Sequence, residues 1–168
     1  VGDVEDARRV AAQLEIPHYV FDESEEFEAR VVDPYVRAYD RGDTPNPCVA
    51  CNQELKFGRL LARARALGFD ALATGHHARV RVDGAGVHRL VRARDRAKDQ
   101  TYVLTGLTQR ELPFLRFPVG DLTKAEVRAR AGALGLRTAQ KPESMDVCFV
   151  ARRERVEFVE SRVGARPG

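Results

Sequence analysis

The stretch Asp70-Ala71-Leu72-Ala73-Thr74-Gly75 decides the fold class of this 168-residue chain. Its apolar run, which ends in a glycine, predicts a buried parallel strand. Apolar positions before it recur at helical spacing and predict a long helix after Asn52, with Gly68 as its C-terminal cap. A helix followed by a buried strand indicates an α/β fold. Its functional site is expected at the carboxyl ends of the strands, here at Gly75, His76 and His77.

Composition narrows the class of protein. The chain is 43% hydrophobic and 32% charged, as in a soluble globular protein, and no apolar run reaches membrane-spanning length. Three cysteines in a chain of this size argue against a secreted disulfide scaffold. We therefore expect reduced thiols, a cytoplasmic location and no membrane partner.

The net charge of +3 is unevenly distributed. Residues 79–98 contain seven basic side chains against Asp83 and Asp95: Arg79, Arg81, Arg89, Arg92, Arg94, Arg96 and Lys98. The run can follow a phosphate backbone, or it can be the solvated face of a hairpin, which residues 80–91 predict with a turn at 83–86. Charge alone does not separate the two interpretations.

Further elements are predicted on both sides of this region. Residues 3–15 predict a helix, and residues 18–21 predict a short buried strand. A further helix is predicted from about Glu25. It is expected to break before Pro34, and Asp33 is the expected N-cap of the short helix that follows. Toward the end, we expect a short helix over 98–107, a helix capped by Thr123 with Glu126 in a capping box, a strand at 145–150 and a helix from about 152.

The loop Thr44-Pro45-Asn46-Pro47-Cys48 is expected to be stiff because its prolines restrict the backbone. Asn52 is the expected N-cap of the helix that follows. Cys51 would then lie just ahead of that helix, where the macrodipole favours a thiolate and lowers the pKa of the thiol.

Cys48-x-x-Cys51 has several interpretations. It can be half of a zinc site completed by Cys148 and His76 or His77, a thioredoxin-like redox pair, or two separately placed cysteines of which one is catalytic with Cys148 as partner. A purely structural role is the fourth. Cys148 itself, between Val147 and Phe149, can equally be a small buried apolar residue.

Seven motifs, in order along nearly the whole chain, strongly resemble the tRNA-specific 2-thiouridylases. They are Thr44-Pro-Asn-Pro-Cys-x-x-Cys51-Asn, Lys56-Phe57, Ala73-Thr-Gly-His-His-Ala-Arg79, Asp95-x-x-Lys-Asp-Gln-x-Tyr102, Phe117-Pro-x-Gly120, Lys124-x-x-Val-Arg128 and Ser144-x-Asp-x-Cys-Phe149. The resemblance implies a Rossmann-like parallel sheet of the ATP-pyrophosphatase (adenine nucleotide α-hydrolase-like) type, with a small hairpin and helical tRNA-binding insertion. It also implies an enzyme that activates C2 of the wobble uridine with ATP, with Mg²⁺ expected, and replaces the oxygen with sulfur from a cysteine persulfide. The implied partners are tRNA and a sulfur-relay or cysteine desulfurase donor.

The same resemblance assigns roles to residues. Cys148 matches the persulfide-bearing cysteine, and Cys51 matches the cysteine that releases the sulfur and forms a transient disulfide with Cys148. The stretch Asn46-Pro47-Cys48 matches the contact to the target base, and Gly75 an ATP-binding glycine. The tRNA-binding positions are His76, Lys98, Asp99 and Gln100. No resident metal is implied.

Two departures from the family pattern shape the expectation. Some members have Asp where this chain has Cys48, so Cys48 is assigned to base contact only. The family's N-terminal strand and Ser-Gly-Gly-x-Asp-Ser phosphate loop have no counterpart in this sequence. We therefore expect residues 1–163 to be a partial catalytic domain, incomplete at its N-terminus and inactive alone, and residues 164–168 to be a linker toward a central domain. The alternative function is a zinc-stabilised nucleic-acid-binding module using Cys48, Cys51 and a histidine.

Overall fold

The structure is a computed structural model that describes residues 2–141, 147–150 and 155–163. Three of its helices are regular: α1 (Gly2–Gln13), α4 (Lys124–Ala133) and α5 (Arg155–Val163). The other two, α2 and α3, are longer helical runs that each contain a π-helical stretch. The run α2 joins Ser24–Phe27, a π-helical stretch Glu28–Val32, and Asp33–Asp40. The run α3 joins Pro47–Ala50, a π-helical stretch Cys51–Leu60, and Leu61–Ala66. No helix in these ranges is long and apolar enough to cross a bilayer.

Within the described residues, four strands form two small sheets. Strand β1 (Leu72–Ala73) pairs in parallel with β4 (Leu115–Arg116), and β2 (Ala78–Val82) pairs antiparallel with β3 (His88–Arg92). The predicted parallel strand and hairpin are therefore present, although β1 is shorter than expected. The prediction that this strand is buried is wrong, because Leu72 is half-buried and Ala73 is exposed. Short 3-10 turns connect the strands and helices: Arg96–Lys98, Thr101–Leu104, Leu112–Phe114 and Arg137–Gln140.

Local capping signals are confirmed at two helix ends. Gly68 has φ +79 after α3, and its N–H and that of Phe69 bond back to Arg65 and Ala64, which is a Schellman ending. Thr123 and Glu126 form the predicted capping box at the start of α4. Both signals depend only on neighbouring residues, so the sequence carries them.

Two predictions about the first forty residues are wrong. Residues 18–21 form no strand, and Tyr19 is 74% exposed, because an apolar run becomes a strand only where another strand pairs with it. The helix from Glu25 does not break before Pro34. A π-helical stretch precedes Asp33, which is not a cap, and the helical run continues to Asp40.

Two apolar clusters organise the interior. The first joins α3 to the strands and consists of Phe57, Leu61, Ala78, Val103, Leu104, Leu115 and Phe117. The second is centred on Val32, Tyr35 and Val36 of α2, with Phe149 and Phe158 packed against it. Gly120 fixes the hairpin to the segment before α4, because a Cβ at this position would lie 1.7 Å from the carbonyl oxygen of Ala78.

Candidate active site

A cavity of about 600 Å³ has walls from both apolar clusters and from the proline loop. It is lined by Phe27, Val31, Tyr35 and Tyr39 of α2, by residues 44–48 with Cys51, Asn52 and Lys56, by His76, Gln100, Tyr102 and Val103, and by Val147, Cys148 and Phe149. Cysteines almost a hundred residues apart in sequence thus line one space. Its volume lies within the range of about 300–1,000 Å³ usual for small-molecule sites.

The helix after the proline loop begins six residues earlier than predicted. Asn46 is the N-cap of α3, with its Oδ1 accepting a hydrogen bond of 3.0 Å from the Cys48 N–H, and Pro47 occupies the first turn. The expectation that Asn52 caps the helix is wrong. The strong local signal is Pro47, since proline favours the first helical position and needs no N–H partner there.

Asn52 instead lies inside α3 and holds its first turn together. The side chain is 3% exposed, and its Nδ2 donates a 2.9 Å hydrogen bond to the Cys48 carbonyl oxygen. Its Oδ1 has no hydrogen-bond partner among the described residues. Asn46 and Asn52 therefore bind opposite backbone groups of the same residue, Cys48.

The pKa of the Cys51 thiol is shifted in the direction opposite to the one predicted. Cys51 is the first residue of the π-helical stretch and lies within the helix, not ahead of it. Burial raises the pKa of Cys51 and that of Cys48, whereas the Lys56 ammonium acts in the opposite direction on both. The predicted depression of the Cys51 pKa by a helix terminus is therefore wrong. All three cysteines are free thiols.

Cys148 lies on a short turn that packs against α2. Residues 147–150 form a turn, so the predicted strand is wrong for them, and Met145 and Asp146 are outside the described residues. The Cys148 side chain is exposed, but the neighbouring Phe149 ring packs edge-on against Phe27 at 5.4 Å and Tyr35 at 5.5 Å. These contacts place Cys148 in the cavity wall, and a negative charge on it raises the pKa of Cys48 and Cys51.

Gly75 and His76 follow β1, as predicted. A Cβ at Gly75 would meet no atom within 4 Å, so open space adjoins this glycine. The His76 ring is buried between Phe57 and Phe117, and its Nδ1 lies 2.8 Å from the Thr74 Oγ1. Burial, with the charge of Lys56, lowers the pKa of His76 to about 4. His76 is therefore neutral near pH 7.

Two of the predicted tRNA-contacting residues bind backbone groups of this chain. The Gln100 Oε1 accepts a 2.9 Å hydrogen bond from the His77 N–H, and the Gln100 N–H donates to the His77 carbonyl at the same distance. Asp99 accepts hydrogen bonds from the Ala93 N–H and the Thr101 hydroxyl. Lys98 ends the preceding 3-10 turn. Of the three, only Gln100 lines the cavity.

The arginines of the hairpin are partly neutralised. Arg79 and Arg81 form ion pairs with Asp121, Arg89 with Asp83 and Arg94 with Glu126. The basic run is therefore less cationic at the surface than its composition suggests.

The zinc alternative lacks a site in the described parts of the chain. No group of three or more His, Cys, Asp or Glu side chains there is arranged to hold a metal ion. The combination of Cys48, Cys51 and a histidine is not such a group, and the zinc-stabilised module is not supported.

Two features of the cavity were missed by the sequence interpretation. One is the aromatic wall of α2, formed by Phe27, Tyr35 and Tyr39. The other is Lys56, which was noted only as part of a motif. The sequence does show aromatic residues spaced along α2 and a basic residue five positions after Cys51. Neither pattern is sufficient to predict that these side chains line a cavity.

Comparison with known proteins agrees with this geometry. A family model described as "tRNA methyl transferase HUP domain" matches residues 1–152. The chain is 52% identical to the tRNA-specific 2-thiouridylase MnmA of Geotalea uraniireducens (strain Rf4), over 98% of this chain and 44% of the relative. It is 51% identical to the MnmA of Frankia alni, over 99% of this chain and 46% of the relative, and 55% identical to that of Roseiflexus castenholzii, over 87% and 43%.

The chain thus spans less than half the length of these relatives. The predicted fold class, an α/β domain of the ATP-pyrophosphatase type, is confirmed by the family match together with the parallel pairing of β1 and β4. On these grounds the chain belongs to the tRNA methyl transferase HUP-domain family.

Proposed function

We propose that this chain is the sulfur-transferring part of a tRNA-specific 2-thiouridylase, an enzyme that acts in the cytoplasm. The observation that carries the proposal is that Cys51 and Cys148, distant in sequence, line one cavity of about 600 Å³. The names of the relatives support it. Two thiols beside one cavity suit a reaction in which sulfur is carried by one cysteine and released by another.

The chemistry assigns one task to each thiol. A persulfide on Cys148 attacks C2 of the activated uridine through its outer sulfur, and the activated oxygen leaves with its bonding electrons. The Cys51 thiolate then attacks the Cys148 Sγ. The bond between that Sγ and the transferred sulfur breaks, its electron pair stays on the transferred sulfur as the new C2 thiocarbonyl, and a Cys51–Cys148 disulfide forms. A thiol reductant restores both cysteines for the next round.

Asn46, Pro47 and Cys48 form the part of the wall proposed to contact the target base. Proline and the capped first turn make this wall rigid, which favours a reproducible position for C2. Tyr102, 60% exposed at the cavity, offers a surface on which an unstacked base can pack. Proposed contacts to the surrounding tRNA come from His76, as a neutral hydrogen-bonding group, and from Lys98 with the backbone around Asp99 and Gln100.

ATP is the expected activating cofactor, with Mg²⁺, and only part of its site fits this chain. The open space at Gly75 leaves room for a nucleotide at the end of β1. The sequence has no Ser-Gly-Gly-x-Asp-Ser loop to hold the phosphates. The residues present therefore do not fit the phosphates of ATP, and we propose that the chain alone does not thiolate tRNA.

The test is a chimera in which this chain replaces the matching segment of the Geotalea uraniireducens relative. The chimera is incubated with tRNA carrying a wobble uridine, ATP, Mg²⁺ and a cysteine desulfurase with cysteine, and 2-thiouridine is measured by mass spectrometry of the digested tRNA. We expect product from the chimera, none from its Cys51→Ser and Cys148→Ser variants, and none from the isolated chain.

The controls separate the competing outcomes. The unaltered relative establishes that the assay works, and a methylated uridine would differ in mass and point to the methyl transfer in the family's description. Product that survives Cys148→Ser would remove the persulfide assignment. Product from the isolated chain would contradict its proposed inactivity.

A further inference from the structure

The cavity wall carries three thiols, those of Cys48, Cys51 and Cys148, and very little charge. Among the described residues that line it, Lys56 is the single cation and none is a carboxylate. Lys56 forms no ion pair with the described part of the chain. Its ammonium is exposed and is not neutralised by a carboxylate there, so it is available to an anion formed in the cavity.

The backbone places this cation on the cysteine face of α3. In a regular α-helix, a residue five positions later lies about 140° around the axis and would point away from Cys51. The stretch Cys51–Leu60 is π-helical, and its wider turns with i→i+5 hydrogen bonds bring residues five apart onto the same face. Lys56 follows Cys51 by five residues and lines the same cavity.

The tight packing of the π-helical stretch supports this placement. A Cβ on Gly58 would lie 2.9 Å from the carbonyl oxygen of Gln53, the residue five positions before it. At the end of the stretch, the Leu61 N–H bonds to the carbonyl oxygen of Lys56, again five positions back. Residues five apart thus approach closely in two pairs, one that spans Lys56 and one that begins at it.

The positive charge of Lys56 favours the thiolate form of Cys51. Burial raises the pKa of Cys51 and Cys48, and Lys56 lowers both. The other titratable groups of the wall are the tyrosines 35, 39 and 102, the thiols of Cys48 and Cys148, and His76, which is neutral near pH 7. Cys48 and Cys148 oppose a charge on Cys51, so the favourable charge comes from Lys56.

We propose that Lys56 is the positioning residue for the sulfur anions of this site, holding the Cys51 thiolate against Cys148 for its attack. The role in transfer rests on the proposed function. The electrostatic coupling of Lys56 to Cys51 does not, because it concerns two side chains of this chain and needs neither tRNA nor ATP. The π-helical geometry is what makes the coupling possible, since an α-helix would turn Lys56 away.

The first test is the pH profile of alkylation of Cys51 by iodoacetamide, followed by mass spectrometry of the Cys51 peptide. Lys56→Met is expected to slow alkylation about three- to tenfold at pH 7 and to displace the profile to higher pH, because fewer thiols are ionised. Lys56→Arg, which keeps the charge, should restore the parent profile. High salt should reduce the difference between Lys56→Met and the parent.

Lys141→Met is the matched control. It removes the same charge from an ammonium that pairs with Asp3 and Asp6, and it does not line the cavity. Its Cys51 profile should coincide with that of the parent. A Lys56→Met profile that also coincides, in a variant whose thermal unfolding matches the parent's, would overturn the proposal.

The chimera provides the second readout. Lys56→Met in the chimera should lower 2-thiouridine formation about tenfold at pH 7 and recover part of it at pH 9, because base then ionises the thiol. If the parent chimera makes no 2-thiouridine while Lys56→Met still displaces the alkylation profile, the proposed function fails and the coupling stands. A chimera that works equally well with Lys56→Met at every pH would contradict the role of Lys56 in transfer.

Discussion

Both α2 and α3 are helical runs with a π-helical stretch inside, but the stretches have different causes. In α2 the stretch Glu28–Val32 precedes Asp33-Pro34, and Pro34 has no N–H to offer the carbonyl four positions back. In α3 the stretch Cys51–Leu60 contains no proline and runs for ten residues. It contributes Cys51, Asn52 and Lys56 to the cavity, whereas the α2 stretch contributes only the apolar Val31. The stretch in α2 accommodates a proline, whereas the stretch in α3 orients side chains at the cavity, and π-helical segments are frequent at functional sites.

The largest effect should come from Asn52→Asp. The change removes the Nδ2 donor to the Cys48 carbonyl and places a buried carboxylate beside that oxygen, at a cost of about 3 kcal/mol in the free energy of unfolding. Asn46→Asp is the matched control, because Asn46 accepts from the Cys48 N–H and aspartate caps a helix equally well. Urea unfolding of the two variants measures the difference. Equal stabilities would contradict the opposite roles of the two asparagines.

Acid should weaken the α3 side of the molecule before the α2 side. His76, packed on Phe57 of α3, stays neutral in the folded protein down to about pH 4, whereas in the unfolded chain it binds a proton near pH 6.5. The unfolded state therefore gains protons first, and stability falls as the pH drops from 6.5 toward 4, by about 2 kcal/mol.

On α2, the hydrogen bond from Arg30 lowers the pKa of Glu26, so the contribution of Glu26 to stability is present above pH 4.5 and is lost only below that value. Hydrogen exchange of amides at pH 7 and pH 5 should show faster opening around Phe57 than around Val32. His76→Phe should abolish the change between these pH values. Equal acceleration in both helices would contradict the prediction.

Gly58→Ala distinguishes the π-helical stretch from an ordinary helix. Alanine normally stabilises a helix interior by about 1 kcal/mol over glycine, but here the added Cβ would lie 2.9 Å from the Gln53 carbonyl oxygen. We expect destabilisation by about 1–2 kcal/mol in urea unfolding. Gly132→Ala in α4, where a Cβ meets no atom within 4 Å, should stabilise the protein instead. The same sign in both variants would contradict the close approach at Gly58.

The smallest effect should come from Pro34→Ala in α2. Alanine restores an N–H donor, but it also increases the conformational freedom of the unfolded chain, so the change in unfolding free energy should stay within about 1 kcal/mol. Urea unfolding would measure it. A loss of several kcal/mol would mean that Pro34 holds the α2 wall of the cavity, and the two stretches would then be alike.

Local signals explain most of what the sequence predicted correctly. The Gly68 ending, the Thr123 capping box and the hairpin each depend on a few neighbouring residues. Residues 18–21 and 72–73 are both short apolar runs, and only the second is a strand, because β4 pairs with it. Pairing partners lie far away in sequence, so an apolar run does not reveal them.

In the candidate site, too, some features could be predicted from local sequence and others could not. The motifs predicted a catalytic pair of Cys51 and Cys148, and both residues line one cavity. Asn52 lies inside the helix because the helix already starts at Pro47, whereas the orientation of Lys56 depends on the π-helical backbone. A π-helix differs from an α-helix by one residue per hydrogen-bonded turn, and no residue preference marks that difference reliably.

The packing of the Phe149 ring has a consequence for the rate of the proposed sulfur transfer. Its ring is enclosed by Phe27, Tyr35 and Phe158, while Cys148 beside it is exposed. Rotation about the Cα–Cβ bond of Cys148 can therefore turn its sulfur from the surface, where the proposed donor protein would meet it, toward the cavity. Rotamer changes of exposed side chains take picoseconds to nanoseconds, whereas domain movements take microseconds or longer. Delivery by such a rotation would leave the arrival of the donor, not a motion of this chain, as the slow step.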